Sequence, residues 1–242
     1  MTSLDAGVAV FDHDPRVRAW AEAALAAPCD LGPWRHDGTW AVGLDALPNA
    51  ADGSVGGVPL VGPWDGLIDA PDAWHRAQLS TVRPGYPGRD VGESGAAHRF
   101  RRDRDAAHVD GLLPVGPDRR RFLREPHAFI LGIPLTPATV SPLVVWPGSH
   151  RIIGAALAQA VAARPDLHPG DVDLTEAYAA ARRICLADCP RRPVPLVPGQ
   201  AVLLHRHLLH GVAPWDDGMA QDRRIVAYFR PQTTPARWLS PA

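Results

Sequence analysis

The chain has 242 residues, of which 46% are apolar, with a formal net charge of -1 at pH 7. This length and composition predict one domain, residues 1–242, with a sizeable core. The near-neutral charge argues against the global positive field that non-specific nucleic-acid binding relies on, so no nucleic-acid partner is expected.

Neither a membrane span nor an export signal is expected. No apolar stretch approaches the roughly 20 residues that cross a bilayer, and the first residues lack the basic start and apolar centre of a signal peptide. The sequence therefore predicts a cytoplasmic protein with no membrane partner. All 25 basic residues are arginine, which together with abundant Ala, Pro and Gly indicates a GC-rich bacterial source. The three cysteines fit reduced thiols rather than a disulfide framework; they are Cys29, Cys185 and Cys189.

Residues 1–75 predict a helix, a strand and lid-like loops. The helix covers residues 14–27, is capped by Asp14 and carries an apolar face. That face consists of Val17, Trp20, Ala21 and Ala24. A strand follows in "GTWAVGLDAL", where apolar side chains alternate at Trp40, Val42 and Leu44. Residues 48–72 are rich in Gly, Pro and Asp and predict a long loop.

Residues 76–242 predict a mainly β core. Short strands, broken by Pro and Gly, are expected in "AQLSTVRPG", "AAHVDG", "HAFILGIPLTP", "SPLVVWPG", "RPVPLVPG", "AVLLHRHLLHG" and "RRIVAYFRP". Two alanine-rich helices are inserted at about 153–163 and 174–184. Many short strands with few helices indicate a sandwich or barrel in which helices brace one sheet.

A histidine and an aspartate lie two apart in "HVDG", at His108 and Asp110. On a strand, residues two apart point to the same face, so both side chains could bind one metal ion. Such a pair is expected about once by chance in a chain of this composition, and a third ligand must come from elsewhere.

The third ligand is expected in "GQAVLLHRHLLHGVAPW". Strand alternation places His205 and His207 on one face, with His210 at the strand end before Gly211. Two histidines and one carboxylate form the facial triad of non-heme Fe(II) oxygenases, which leaves coordination positions for a cosubstrate and dioxygen.

Four motifs in this order, "HVDG", "VVWPGSHR", "LLHRHLLHG" and "RRIVAYFR", resemble the phytanoyl-CoA dioxygenase family of Fe(II)/2-oxoglutarate oxygenases, over roughly residues 80–230. The resemblance implies a double-stranded β-helix, a cupin-like jelly roll, and iron ligands at His108, Asp110 and His210. His205 matches a position that is not a ligand, and the roles of His205 and His207 stay open. His150, in "PGSH", is expected to be structural.

The family also uses a basic residue on a late strand to bind the distal carboxylate of 2-oxoglutarate, and Arg224 matches it. An unpaired arginine inside a dry barrel costs several kcal/mol, whereas a bidentate carboxylate neutralises it. The alternative is that Arg224 faces solvent and Arg223 or Arg230 faces inward. Because the chain has no lysine, any further cosubstrate contact must come from another group, for example Arg83 or Tyr86.

The resemblance implies an oxygenase that converts 2-oxoglutarate to succinate while hydroxylating a small molecule. Two alternatives stay open: a cupin-like divalent-metal enzyme that does not use 2-oxoglutarate, and a non-catalytic binding protein on the same scaffold. An arginine cluster in "HRFRRDRD" could recruit an anionic substrate, or could be a solvated face paired with Asp103 and Asp105. Substrate identity does not follow from the sequence.

Overall fold

The structure is a computed structural model that describes residues 4–43, 45–218 and 220–240. Most strands are short, and most end at a Pro or Gly or within two residues of one, as the breaks in the apolar pattern predict. The strands are β1 (Val8–Phe11), β2 (Trp34–Arg35), β3 (Trp40–Gly43), β4 (Gln78–Val82), β5 (Leu112–Val115), β6 (Arg120–Leu123), β7 (Phe129–Pro134), β8 (Leu143–Val145), β9 (Arg192–Val194), β10 (Ala201–His205), β11 (His210–Val212) and β12 (Arg224–Phe229). The helices are α1 (Pro15–Ala26), α2 (Gly95–Asp103), α3 (Ser149–Ala162), α4 (Thr175–Asp188) and α5 (Pro235–Leu239).

A seven-stranded sheet runs in the order β1-β10-β7-β12-β4-β3-β2, and a three-stranded sheet in the order β11-β8-β9. All of these pairings are antiparallel. The large sheet packs on the small one through apolar side chains such as Ile130 and Leu204 on one side and Val145 and Val194 on the other. Two packed antiparallel sheets with crossing connections form the jelly-roll, cupin-like fold that the sequence predicts.

Helices and loops cover the outer faces of both sheets. The helix α1 and the loop residues around Trp64 pack on the outside of the large sheet, with Trp20 fully buried against Phe229. Helices α3 and α4 cover the small sheet, where Ile153 and Leu157 are fully buried. The bracing helices thus leave the space between the sheets open at one end, near His108 and His210.

The predicted N-terminal helix is confirmed. Asp14 accepts a hydrogen bond from the backbone N–H of Arg16, and all four residues of the expected apolar face are buried. The two alanine-rich helices are confirmed with different bounds, since α3 starts at Ser149 and α4 ends at Asp188. Gly148, with φ +89, makes the tight turn that allows α3 to start early.

Two predicted strands are wrong in detail. "AAHVDG" forms no regular strand, because Asp105 and Ala106 both have φ 53 and only an isolated bridge joins His108 to His210. "AVLLHRHLLHG" is divided into β10 and β11 by a turn at 206–209, where the Leu208 N–H donates to the carbonyl of His205. A continuous apolar run hides this turn. The expected loop at 48–72 contains only turns and isolated bridges, and Leu44 lies outside the described residues.

The sequence patterns did not predict α2 or the β5–β6 hairpin. Helix α2 is amphipathic only over nine residues and has no buried residue, so its apolar pattern is weak. In the described part of the chain, no helix is both long and apolar enough to span a bilayer.

Candidate metal centre and cavity

His108 and Asp110, two residues apart in the sequence, converge with His210, which lies about a hundred residues later in the chain. One ligand atom each from His108, Asp110 and His210 lies within 4.8 Å of the others, and they form the one such group found among the described residues. The Nε2 of His108 is 3.3 Å from Asp110 Oδ1, and the Nε2 of His210 is 3.9 Å from Oδ2. These are the atoms that a single ion would contact.

Backbone pairing brings the two histidines together. The N–H of His108 donates to the carbonyl of His210 at 2.8 Å, and the N–H of His210 donates back at 3.0 Å. His210 is also the first residue of β11, opposite Val145 of β8. The segment carrying His108 therefore adds to the edge of the small sheet. The carbonyl of Asp105 extends this contact by accepting from the N–H of Val212 at 2.9 Å.

Each imidazole has one nitrogen engaged by the backbone and one directed to the shared centre. The Nδ1 of His108 lies 2.9 Å from the carbonyl of Ala106, and the Nδ1 of His210 lies 2.9 Å from the carbonyl of Leu208. A carbonyl can only accept, so each Nδ1 is the protonated donor and each Nε2 keeps its lone pair when the ring is neutral. This orientation is the one that histidine ligands of metals adopt.

The charges at the centre also suit a cation. Burial, together with the like charge of His108, lowers the pKa of His210 to about 4. Burial alone would raise the pKa of Asp110, but the hydrogen bond from His108 and the charges of His210 and Arg230 hold it well below its usual value. Desolvation disfavours a proton on His108, yet Asp110 outweighs it and raises the pKa of that ring. The centre thus combines a carboxylate with a neutral His210, and a cation would replace the proton of His108.

Arg224 faces inward and is fully buried. It donates to the hydroxyl of Ser80 at 3.1 Å and to the phenol oxygen of Tyr228 at 3.2 Å, and its Nε has no hydrogen-bond partner. Among the described residues, no carboxylate oxygen lies within 4.0 Å of its guanidinium. A buried arginine without a counter-charge is costly, so this group is suited to an anionic ligand.

The two alternatives to Arg224 lie elsewhere. Arg223 is exposed beside Asp222. Arg230 does face inward, but it is already engaged, with Nη1 3.2 Å from Asp110 Oδ2 and Nη2 donating to Gln78 at 2.8 Å. Arg230 therefore contacts a candidate metal ligand, and Arg224 is the inward arginine whose charge is not balanced.

A cavity of about 300 Å³ connects the triad with the wall in front of Arg224. Ser80 and Tyr228, both bonded to Arg224, line it, and so do apolar side chains such as Trp40 and Ile130. Tyr86, which the sequence offered as a cosubstrate contact, also lines it, and burial raises the pKa of this phenol to about 12. The volume of this cavity is at the lower end of the range for small-molecule sites. The sequence patterns did not single out Ser80, because a short hydroxyl within "QLSTV" carries no distinctive signal.

The remaining histidines of the late strands lie away from the triad. His205 ends β10 and its ring lies tilted against that of His150, with ring centroids 4.9 Å apart. His207 occupies the following turn, is buried, and packs edge-on against Trp238 at 4.3 Å. The expectation that His205 and His207 share a strand face is wrong, since the strand ends between them.

The arginine cluster at 98–105 is mostly surface. Arg102 pairs with Asp103 where both are exposed, whereas Asp105 is buried and pairs instead with Arg191. Arg101 lines the cavity, but Glu93 neutralises it. The cluster is thus largely a solvated face and not a site for an anionic substrate. Asp103 pairs within the cluster as expected, whereas Asp105 pairs with Arg191 outside it.

No family model matches the chain, and no curated protein matches it. Several crystal structures are similar to it. The non-heme alpha ketoglutarate dependent carbocyclase SnoK from nogalamycin biosynthesis is 16% identical over 94% of this chain and 80% of its own, with a TM-score of 0.49. HygX from Streptomyces hygroscopicus, with nickel and 2-oxoglutarate bound, is 11% identical over 94% and 84%, with a TM-score of 0.44. EctD from S. alaskensis, with 2-oxoglutarate and 5-hydroxyectoine, is 18% identical over 93% and 72%, with a TM-score of 0.38.

Proposed function

We propose that the chain is an Fe(II)/2-oxoglutarate-dependent oxygenase that hydroxylates a small molecule, with His108, Asp110 and His210 as the iron ligands. One observation carries the proposal: a His-Asp-His triad lines a cavity together with Ser80 and Tyr228, and these two side chains contact Arg224, a buried arginine without a counter-charge among the described residues. Two imidazoles and one carboxylate are the donor set of non-heme Fe(II) oxygenases and leave positions for other ligands. We also propose that the chain belongs to the phytanoyl-CoA dioxygenase family and that it is a cytoplasmic protein of a bacterium.

Arg224 is proposed to bind the distal carboxylate of 2-oxoglutarate. The planar guanidinium can donate two parallel hydrogen bonds to a carboxylate, and its present partners are neutral hydroxyl groups. Ser80 and Tyr228 form the cavity wall at this point and can donate to the same carboxylate. The cosubstrate is thus oriented with its opposite end towards the triad.

When bound, the iron supplies the redox chemistry that couples dioxygen to decarboxylation of 2-oxoglutarate. The protein positions and shields the reactants. The backbone carbonyls of Ala106 and Leu208 fix the two imidazoles, and Arg230 holds Asp110 through one of its oxygens. Apolar side chains of the cavity limit the water that reaches the centre.

The direct test is product formation. Purified protein with Fe(II), dioxygen and a substrate panel is expected to form succinate only when 2-oxoglutarate is added. A metal-dependent turnover of substrate without 2-oxoglutarate would instead support a cupin-like enzyme of another type. If neither 2-oxoglutarate nor Fe(II) binds, the chain is a binding protein on this scaffold and the proposal is wrong.

A further inference from the structure

A second cavity, of about 260 Å³, also borders the triad, through His108 and Asp110. His108 and Asp110 line both cavities, so a molecule in the second one would reach the metal centre directly. Its far wall is formed by the β5–β6 hairpin and helix α4, which contribute Arg121 and Arg182. Leu113 of the same hairpin, which is exposed, adds an apolar surface.

The two arginines of this wall are not neutralised. Among residues 4–43, 45–218 and 220–240, no carboxylate oxygen lies within 4.0 Å of either guanidinium. Arg121 donates to the backbone carbonyl of Leu112 at 3.1 Å. Arg182 lies over the rings of Phe100 and Tyr178, with its guanidinium carbon 5.0 and 5.4 Å from the ring centroids. Each group therefore keeps N–H donors free for a ligand.

Arg120, the neighbour of Arg121 on strand β6, has acidic partners that Arg121 lacks. Arg120 does not line the cavity, and Asp173 at 2.5 Å and Glu176 at 3.3 Å neutralise it. Arg121 is half-buried and lacks such a partner. Burial lowers the pKa of Arg121, and the like charges of Arg119 and Arg182 act in the same direction.

The other charged groups of the cavity, His108, Asp110, Glu125 and Arg230, pair with one another. Arg230 is held by Asp110 and Gln78, and Glu125 is exposed and lies 3.9 Å from Arg230. An anion in the second cavity would therefore meet Arg121 and Arg182 first. Their aromatic and backbone contacts fix both guanidinium groups in place before a ligand binds, which lowers the entropic cost of binding.

We propose that Arg121 and Arg182 bind an anionic group of the substrate, a carboxylate or a phosphate, beside the metal centre. The inference rests on the proposed function, because it treats the second cavity as the substrate side of the triad and leaves the first cavity to 2-oxoglutarate. The substrate class is thus a small molecule with an acidic group and an apolar part next to it, which contacts Leu113.

The test measures anion binding, which does not depend on turnover. Metal-free protein is titrated by calorimetry at constant ionic strength, once with inorganic phosphate and once with propionate. The anion that binds more tightly identifies the acidic group as a phosphate or a carboxylate. Arg121→Gln and Arg182→Gln are each expected to weaken binding at least tenfold. Arg183→Gln, an exposed arginine of the same helix, is the matched control and is expected to stay within twofold of the original protein. Arg121→Lys, which keeps the charge, should recover part of the affinity.

The outcomes separate this inference from the iron assignment. His210→Ala is expected to keep anion binding even where it loses the metal, and 2-oxoglutarate added to the Ni(II)-loaded protein should not displace the anion. The inference is overturned if neither anion binds saturably, if 2-oxoglutarate displaces the bound anion, or if the Arg183 variant loses as much affinity as the two cavity variants.

Discussion

His108 and His210 exchange two backbone hydrogen bonds, of 2.8 and 3.0 Å, although about a hundred residues separate them in the chain. This bridge explains how the two imidazoles come to lie with ring centroids 4.6 Å apart. Since both backbones are fixed, the geometry of the centre depends on the fold and not on flexible side chains alone. The proposed iron site is therefore expected to be formed before the metal binds.

Arg224 is expected to control affinity for 2-oxoglutarate. Arg224→Gln removes the charge and the paired donors, so the Kd of 2-oxoglutarate on the Ni(II)-loaded protein should rise by about tenfold or more, as for loss of a charged hydrogen bond. Calorimetry measures the Kd of 2-oxoglutarate, and circular dichroism checks that the variant folds. Arg223→Gln changes the exposed neighbour and should leave the Kd unchanged. An unaltered Kd in the Arg224 variant would remove this residue from the site.

The ion pair between Asp105 and Arg191 is expected to support the segment that leads to His108. Both hydrogen bonds are 2.7 Å long, and the side chain of Asp105 is 3% exposed. Arg191→Gln leaves a buried carboxylate without its partner, and because Arg191 itself is partly exposed the expected loss in the free energy of unfolding is about 2 kcal/mol. Urea denaturation measures this loss.

A surface pair provides the control for that experiment. Arg102→Gln breaks an exposed contact with Asp103, and the change should stay within about 0.5 kcal/mol. Equal effects of the two substitutions would show that the Asp105 pair has no special role at the turn, where Asp105 and Ala106 both have φ 53.

Buried neutral histidines are expected to make the protein less stable in acid. Burial, then the charges of His205 and Arg206, lower the pKa of His207 to about 2 from 6.5. Between these values the unfolded chain binds a proton that the folded chain does not, so the free energy of unfolding falls as the pH falls through this window. Each such group contributes up to about 1.4 kcal/mol per pH unit.

The substitution His207→Phe tests this relation. Because phenylalanine does not titrate, the slope of the free energy of unfolding against pH, measured by urea denaturation between about pH 6 and about pH 4.5, should be shallower by about 1 kcal/mol per unit. The same slope in the His207 variant would contradict a neutral, buried ring.

The sequence predicts the fold class and the members of the triad, because "HVDG" and the late "HG" keep the ligand types in recognisable local patterns. It does not predict the turn after His205, since the apolar residues continue through it. Nor does it predict that Arg121 and Arg182 lie on one wall: they are about 60 residues apart on a hairpin and a helix, and only tertiary packing brings them together. The pairing of Asp105 with Arg191 could not be predicted either, because tertiary packing also brings these two distant residues together.

The central claim is that His108, Asp110 and His210 hold one iron ion that 2-oxoglutarate chelates. Anaerobic titration with Fe(II) in the presence of 2-oxoglutarate tests it by the weak visible charge-transfer band of a chelated 2-oxo acid. The band is expected in the original protein and in His207→Gln, and should be absent in Asp110→Asn and His210→Ala. A band of full strength in both ligand variants, or none in the original protein, would contradict the account.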